Sequence, residues 1–146
     1  MSTVQRKEIP FDERIAKGFI GSRGGGGLVE FLGVEITDAQ PGTMTGRFEV
    51  REELLTPMGN MHGGVLSAFC DHMLGCVCYP AMKKGQWAAT TEFKINLTAP
   101  VTRGQVEARA EIVNLSRTQA VVRIDVYNDG RLAAMAQGTV TIRDPR

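Results

Sequence analysis

The chain has almost no net charge: 17 basic and 16 acidic residues leave a formal +1, spread along the sequence rather than clustered. Neutralising a phosphate backbone requires a concentrated basic patch, so nucleic acid is not an expected partner. Cysteine is scarce as well. Cys70, Cys76 and Cys78 are an odd number within one run, with no C-x-x-C and no matching histidine pair, which argues against a disulfide framework and against a metal site. No stretch of eighteen apolar residues occurs, and the first ten residues carry Arg6, Lys7 and Glu8 without an apolar segment of the export type. Neither a membrane nor export is indicated, and the expected location is cytoplasmic.

What is present is enough apolar residue, 42 % of 146, for one domain with a real core. The division expected is an N-terminal segment over 1–27 and a domain over 28–146. Phe11, Ile15, Phe19 and Ile20 fit a short amphipathic helix, followed by the glycine tract Gly24 to Gly27. That tract lacks the Gly-Lys-Ser/Thr of a phosphate-binding loop and follows no buried strand, so it reads as a turn.

The organising stretch is Gly59 to Tyr79, a glycine-led entry into one long helix that is almost wholly apolar and that Pro80 should end. An all-round apolar helix belongs in a core, and a carboxylate within it, Asp71, is expected to be buried, at a cost that chemistry would justify. The rest reads as strand. Phe31 to Thr37 and Thr43 to Glu52 flank a Pro41-Gly42 turn. Trp87, Ala89, Thr91, Phe93, Ile95 and Leu97 alternate on one face of the strand after the helix, and strands with inner faces Val106–Ile112 and Ala120–Val126 follow, then an Asn128-Asp129-Gly130 turn and a last strand from Leu132. One hairpin, one helix and a four-strand meander predict an α+β fold in which a single antiparallel sheet covers the helix. Such a sheet leaves edges bare, so at least a homodimer is expected, and a homotetramer of two dimers.

Gly59-x-x-His62-Gly63-Gly64, with Asp71 nine residues after the histidine and a strand closing at Pro100 before a Gly104 turn, resembles the hotdog-fold acyl-CoA thioesterases of the phenylacetate-degradation-protein type, over about residues 28 to 143. The resemblance implies a curved sheet wrapped round the central helix, an acyl-CoA substrate and no cofactor or metal. It implies that the Gly63 amide polarises the thioester carbonyl, that His62 fixes the loop, and that Asp71 is general base or nucleophile. Family members commonly carry Asn six residues before the histidine, where this chain has Thr56; Asn60 lies two residues before His62, and Thr90 falls where relatives carry Ser or Thr. Gly64, Asn60, Thr56 and Thr90 are therefore the candidate substrate-binding residues.

Elementary chemistry agrees with that assignment. Thioester hydrolysis needs donors for the developing oxyanion and a carboxylate to activate water or attack, and a helix start offers unpaired N–H groups at the positive end of a dipole. At 1.5 Å per residue, Asp71 stands roughly 10–13 Å along the axis from the helix start, too far for one chain's Gly63 amide and Asp71 to act on one carbon. The site is expected to be shared between two chains. Plainer readings compete: Asp71 bonded to Ser67, Gly63-Gly64 serving helix packing, His62 as a structural histidine, His72 and the cysteines as packing, and Glu92 as a rival base. Two other classes of function fit the same fold, a non-catalytic acyl-CoA-binding module and a hydratase or dehydratase.

Overall fold

The computed structural model describes residues 8–23 and 25–146. Asp12 caps the first helix, α1 (Glu13–Phe19), by accepting from the Arg14 and Ile15 amides at 2.9 and 3.1 Å. Of the glycine tract, Gly24 lies outside the described residues, Gly25 and Gly26 form a bend, and Gly27 opens α2 (Gly27–Leu32). This corrects the expectation of strand from Phe31, because Phe31 and Leu32 belong to the helix. The short run Leu28–Leu32 is helical because Gly33, in the left-handed conformation (φ 74°), closes it with its N–H on the Val29 and Glu30 carbonyls.

Six strands follow: β1 (Glu35–Gln40), β2 (Thr43–Glu49), β3 (Trp87–Leu97), β4 (Gln105–Leu115), β5 (Gln119–Asn128) and β6 (Arg131–Arg143). They form one antiparallel sheet in the order β1-β2-β4-β5-β6-β3. The last four strands are thus not a simple meander. β3 pairs with β6, while β4 crosses to pair with β2, and β3 is left as an open edge. The turn between β5 and β6 has both Asp129 (φ 48°) and Gly130 (φ 81°) left-handed, the geometry a two-residue hairpin favours.

The long helix, α3 (Gly63–Cys76), lies against the inner face of this sheet. Leu66, Phe69, Cys70, Met73 and Leu74 recur at three- and four-residue intervals and are fully buried. Phe69 meets Phe48 of β2 edge to face, ring centroids 4.9 Å apart. A Cβ on Gly46 would sit 2.8 Å from the Met73 sulfur, so that glycine lets β2 close on the helix. Pro80 falls in a 3-10 turn, Tyr79–Ala81, just past the helix end.

The opposite face of α3 is not core. Gly64 and Asp71 are exposed and Ser67, Ala68, His72 and Gly75 only half-buried, a stripe of small and polar residues left without cover. Asp71 is therefore not buried within this chain, contrary to the all-round apolar reading. Its neighbours on that face are short enough to look apolar in sequence without being packed.

Candidate active site

The N-terminus of α3 is built from a loop that folds back on itself. Thr56 N–H donates to the Asn60 carbonyl at 2.7 Å, the Thr56 hydroxyl to Asn60 Oδ1 at 3.2 Å, and Gly59 (φ 84°) makes the turn between them. The Met61 N–H reaches Val101 O and the His62 N–H reaches Leu54 O, which locks the loop to its surroundings. His62 is the N-cap, its Nδ1 accepting the Gly64 N–H at 2.9 Å. Accepting at Nδ1 leaves the imidazole proton on Nε2.

The amide that remains is the one at Gly63. As first residue of α3 it has no intrahelical acceptor, and no hydrogen bond of the described residues uses it. The two glycines are needed for different reasons. A Cβ on Gly64 would fall 2.9 Å from His62 Nδ1, and one on Gly63 would fall 2.7 Å from Leu97 Cδ1. Thr56, Asn60, His62, Gly63 and Leu97 line one cleft of about 380 Å³.

Asp71 lies elsewhere. It lines two adjoining clefts, of about 530 and 560 Å³, and shares both with Thr90 of β3. Thr90 reaches that position because β3 carries a one-residue bulge between Thr90 and Glu92. Ala88 and Thr90 pair with buried Ile142 and Val140, while beyond the bulge Phe93, Ile95 and Leu97 pair with buried Gly138, Ala136 and Ala134. The inner face is therefore Ala88, Thr90, Phe93, Ile95 and Leu97, so the strict alternation that put Trp87, Ala89 and Thr91 inside holds only for the second half of the strand. Gly138 permits the approach, since a Cβ there would lie 2.6 Å from the Glu92 carbonyl.

The Asp71 carboxylate has no hydrogen-bond or ion-pair partner among the described residues, and the Ser67 hydroxyl donates instead to the Gly63 carbonyl at 2.8 Å. Glu92 also borders the 530 Å³ cleft, but its carboxylate is engaged, Oε1 accepting from Thr139 Oγ1 at 2.6 Å. His72 packs on the Cys76 sulfur, 3.3 Å from Nε2. Burial pushes the His72 pKa below its ordinary value, against a smaller upward pull from Asp71. Burial likewise pushes the thiols of Cys70, Cys76 and Cys78 up to about 12, which leaves them protonated and unreactive.

Within one chain, then, the candidate residues fall into two groups. Thr56, Asn60, His62 and Gly63 share one cleft, and Asp71 and Thr90 share two others, Asp71 standing eight residue steps, about 12 Å of helix rise, beyond Gly63. Gly64 belongs to neither group, because its N–H is spent on His62. Leu97 over Gly63, and Phe19 and Tyr79 beside Asp71, were not among the residues singled out by sequence; their proximity depends on where β3 and α1 are laid against the helix. A larger cavity, about 790 Å³ between Ile9, Met82 and Leu115, contains none of the candidates.

This architecture, a long helix wrapped by a curved six-stranded antiparallel sheet, is the hotdog fold. The thioesterase superfamily matches residues 58–134, which include Asn60 to Gly64, Asp71 and Thr90 but not Thr56. The chain belongs to the thioesterase superfamily. Among solved structures it is similar to the thioesterase HI1161 of Haemophilus influenzae, with TM-score 0.76 and 26 % identity, covering 80 % of this chain and 82 % of that one. It is also similar to a variant of the phenylacetic acid degradation protein PaaI of Thermus thermophilus, with TM-score 0.70 and 33 % identity over 77 % of this chain and 95 % of that one. A curated relative, the 1,4-dihydroxy-2-naphthoyl-CoA hydrolase of Listeria monocytogenes, is 25 % identical over 121 residues, 82 % of this chain and 98 % of its own length. This thioesterase is accordingly a thioester hydrolase. Among the described residues, no helix is long and apolar enough to cross a membrane.

Proposed function

We propose that this thioesterase hydrolyses an acyl-CoA at a site shared between two copies of the chain, the Gly63 amide of one protomer facing the carboxylate of the partner subunit's Asp71. The observation that carries the reading is the separation of the unspent Gly63 N–H from the unpartnered Asp71, in different clefts but on one helix. The bare stripe of α3 runs beside the open edge of β3. Pairing that edge with its own copy about a two-fold axis sets two α3 helices side by side and antiparallel, which offsets the 12 Å and covers both the stripe and the edge.

In the reaction, the thioester carbonyl accepts the Gly63 N–H at the positive end of α3. Asp71 either takes a proton from water as its oxygen adds to the carbonyl carbon or attacks that carbon itself. The negative charge that forms on the carbonyl oxygen is held by the Gly63 amide. Collapse of the adduct re-forms the carbonyl and breaks the carbon–sulfur bond; the sulfur leaves and takes a proton, giving coenzyme A thiol. On the base route the free acid forms directly, and on the nucleophile route water then hydrolyses the acyl-Asp71 anhydride. His62 works by holding the loop, and Thr90, beside Asp71, is placed to orient water or the acyl group. Thr56 and Asn60 are engaged with each other, and they shape the cleft at Gly63.

The test is complementation. Gly63→Pro deletes the amide donor at a first-turn position that accepts proline, with the end of Leu97 moving aside; Asp71→Asn deletes the carboxylate. A mixed dimer carries one site with both lesions and one with neither, so it should show about half the wild-type turnover per dimer, whereas each parent shows almost none. A mixed species that is folded and dimeric yet no more active than its parents, or a fully active monomer, would overturn the shared site.

A further inference from the structure

Strand β3 reaches both halves of the candidate site. Thr90 lines the clefts beside Asp71, and Leu97 lines the cleft of Gly63. The two are seven residues apart, an odd spacing that puts side chains on opposite faces of a regular strand. The bulge between Thr90 and Glu92 cancels the inversion, so both face α3. Leu97 is then fixed through the backbone around it. It pairs with Ala134, the Thr98 and Ala99 amides both donate to the Ala133 carbonyl at 2.9 and 3.2 Å, and the Thr98 hydroxyl donates to the Leu132 carbonyl at 3.1 Å.

Core packing does not account for this side chain. Leu97 is 54 % exposed, whereas Phe93 and Ile95, on the same face of β3, pack against the core. What Leu97 meets is Gly63, where a Cβ would fall 2.7 Å from Leu97 Cδ1. Standard bond geometry puts a Cβ about 2.5 Å from its own amide nitrogen, so this methyl lies within roughly 5 Å of the Gly63 nitrogen. A water standing between them would need about 2.9 Å to the nitrogen and about 3.5 Å to the carbon. It does not fit on that side.

We propose that Leu97 is a positioning residue for hydrolysis: its methyl covers one side of the Gly63 N–H, keeps water off it, and so strengthens its bond to the thioester oxygen. This rests on donation by the Gly63 amide as proposed above. A donor with an apolar neighbour in place of water interacts more strongly with charge, because less of the field is screened. The carbonyl oxygen carries that charge only as the adduct forms, so the gain belongs to the transition state and appears in kcat. It acts on the carbonyl, which every acyl-CoA presents alike.

The experiment compares wild type with Leu97→Ala and Leu97→Met, following exchange of the Gly63 amide with water by NMR and turnover of acetyl-CoA and phenylacetyl-CoA. A half-exposed side chain has little packing to lose, so Leu97→Ala should fold; Leu97→Val, which suits a strand and also lacks the Cδ methyls, serves if it does not. Removing an oxyanion donor costs roughly 10²–10³-fold in kcat, and uncovering one should cost about tenfold, equally for both substrates. KM should stay within about twofold. Exchange at Gly63 should quicken in Leu97→Ala, and Leu97→Met, of similar volume, should restore both slow exchange and turnover. Exchange as slow as in wild type would overturn the cover, whether or not Gly63 is the donor. Faster exchange with unchanged kcat would overturn its part in turnover. A loss carried by KM, or confined to one substrate, would make Leu97 an acyl contact and overturn the proposal too. Turnover of Gly63→Pro is read beside these: an active Gly63→Pro means that donation by Gly63 has failed, whereas an inactive one with a fully active Leu97→Ala means that only the cover has.

Discussion

His62 Nδ1 accepts the Gly64 N–H at 2.9 Å, and that bond leaves Gly63 as the amide at the head of α3 without an acceptor. The histidine thus spends one donor and sets the position of its neighbour. A role as cap alone and a role in proton transfer predict different outcomes on substitution. His62→Ala should cost about 0.5–2 kcal/mol of stability, as loss of an N-cap does, while His62→Asn keeps a side-chain acceptor and most of that stability. If His62 acts by position alone, His62→Asn should retain turnover within about tenfold of wild type. A loss of roughly 10²–10⁴-fold in a well-folded His62→Asn would instead mark a proton-transfer group.

Asp71→Asn should abolish most hydrolysis, by about 10²–10⁴-fold, with little change in thermal stability of the single chain. The carboxylate is exposed there and has no partner, and substitutions at such positions stay within about 0.5 kcal/mol. Melting curves beside thioesterase turnover check both halves. Full activity would remove Asp71 from the mechanism, and a collapsed melting temperature would give it a structural role.

His72 should make the fold sensitive to acid. Burial holds its folded pKa below the ordinary value of 6.5, with Asp71 pulling weakly the other way. As pH falls below 6.5 the unfolded chain binds the proton first, so stability is fully present above that value and declines through the window down to the lower folded pKa. His72→Gln should flatten the dependence of melting temperature on pH between about 7 and 5. In Asp71→Asn the upward pull is gone, so the His72 pKa read by NMR titration should fall further than in wild type. A rise would mean that the two side chains do not interact as placed.

Much of this protein was readable in its sequence. The His62-Gly63-Gly64 helix start is legible because a cap and a free first-turn amide are local: everything they need lies within three residues. The inner faces of β4 and β5, and the Asp129-Gly130 turn, follow from period-two alternation and from turn chemistry that no distant contact overrides. The distance argument between Gly63 and Asp71 also needed only helix rise.

Tertiary structure decided the rest. Strand order is not written in any segment; β3 takes the edge because it pairs with β6, and β4 is drawn across to β2. The bulge at Thr91 turned half of β3 over, which brought Thr90 to Asp71, and a bulge depends on what the partner strand tolerates, here the absence of a side chain at Gly138. Asp71 read as buried because Gly64, Ala68 and Gly75 look apolar, yet burial requires an opposing surface, and within one chain that face of α3 has none. Phe19 beside Tyr79 is a meeting of distant segments, which composition and periodicity do not encode.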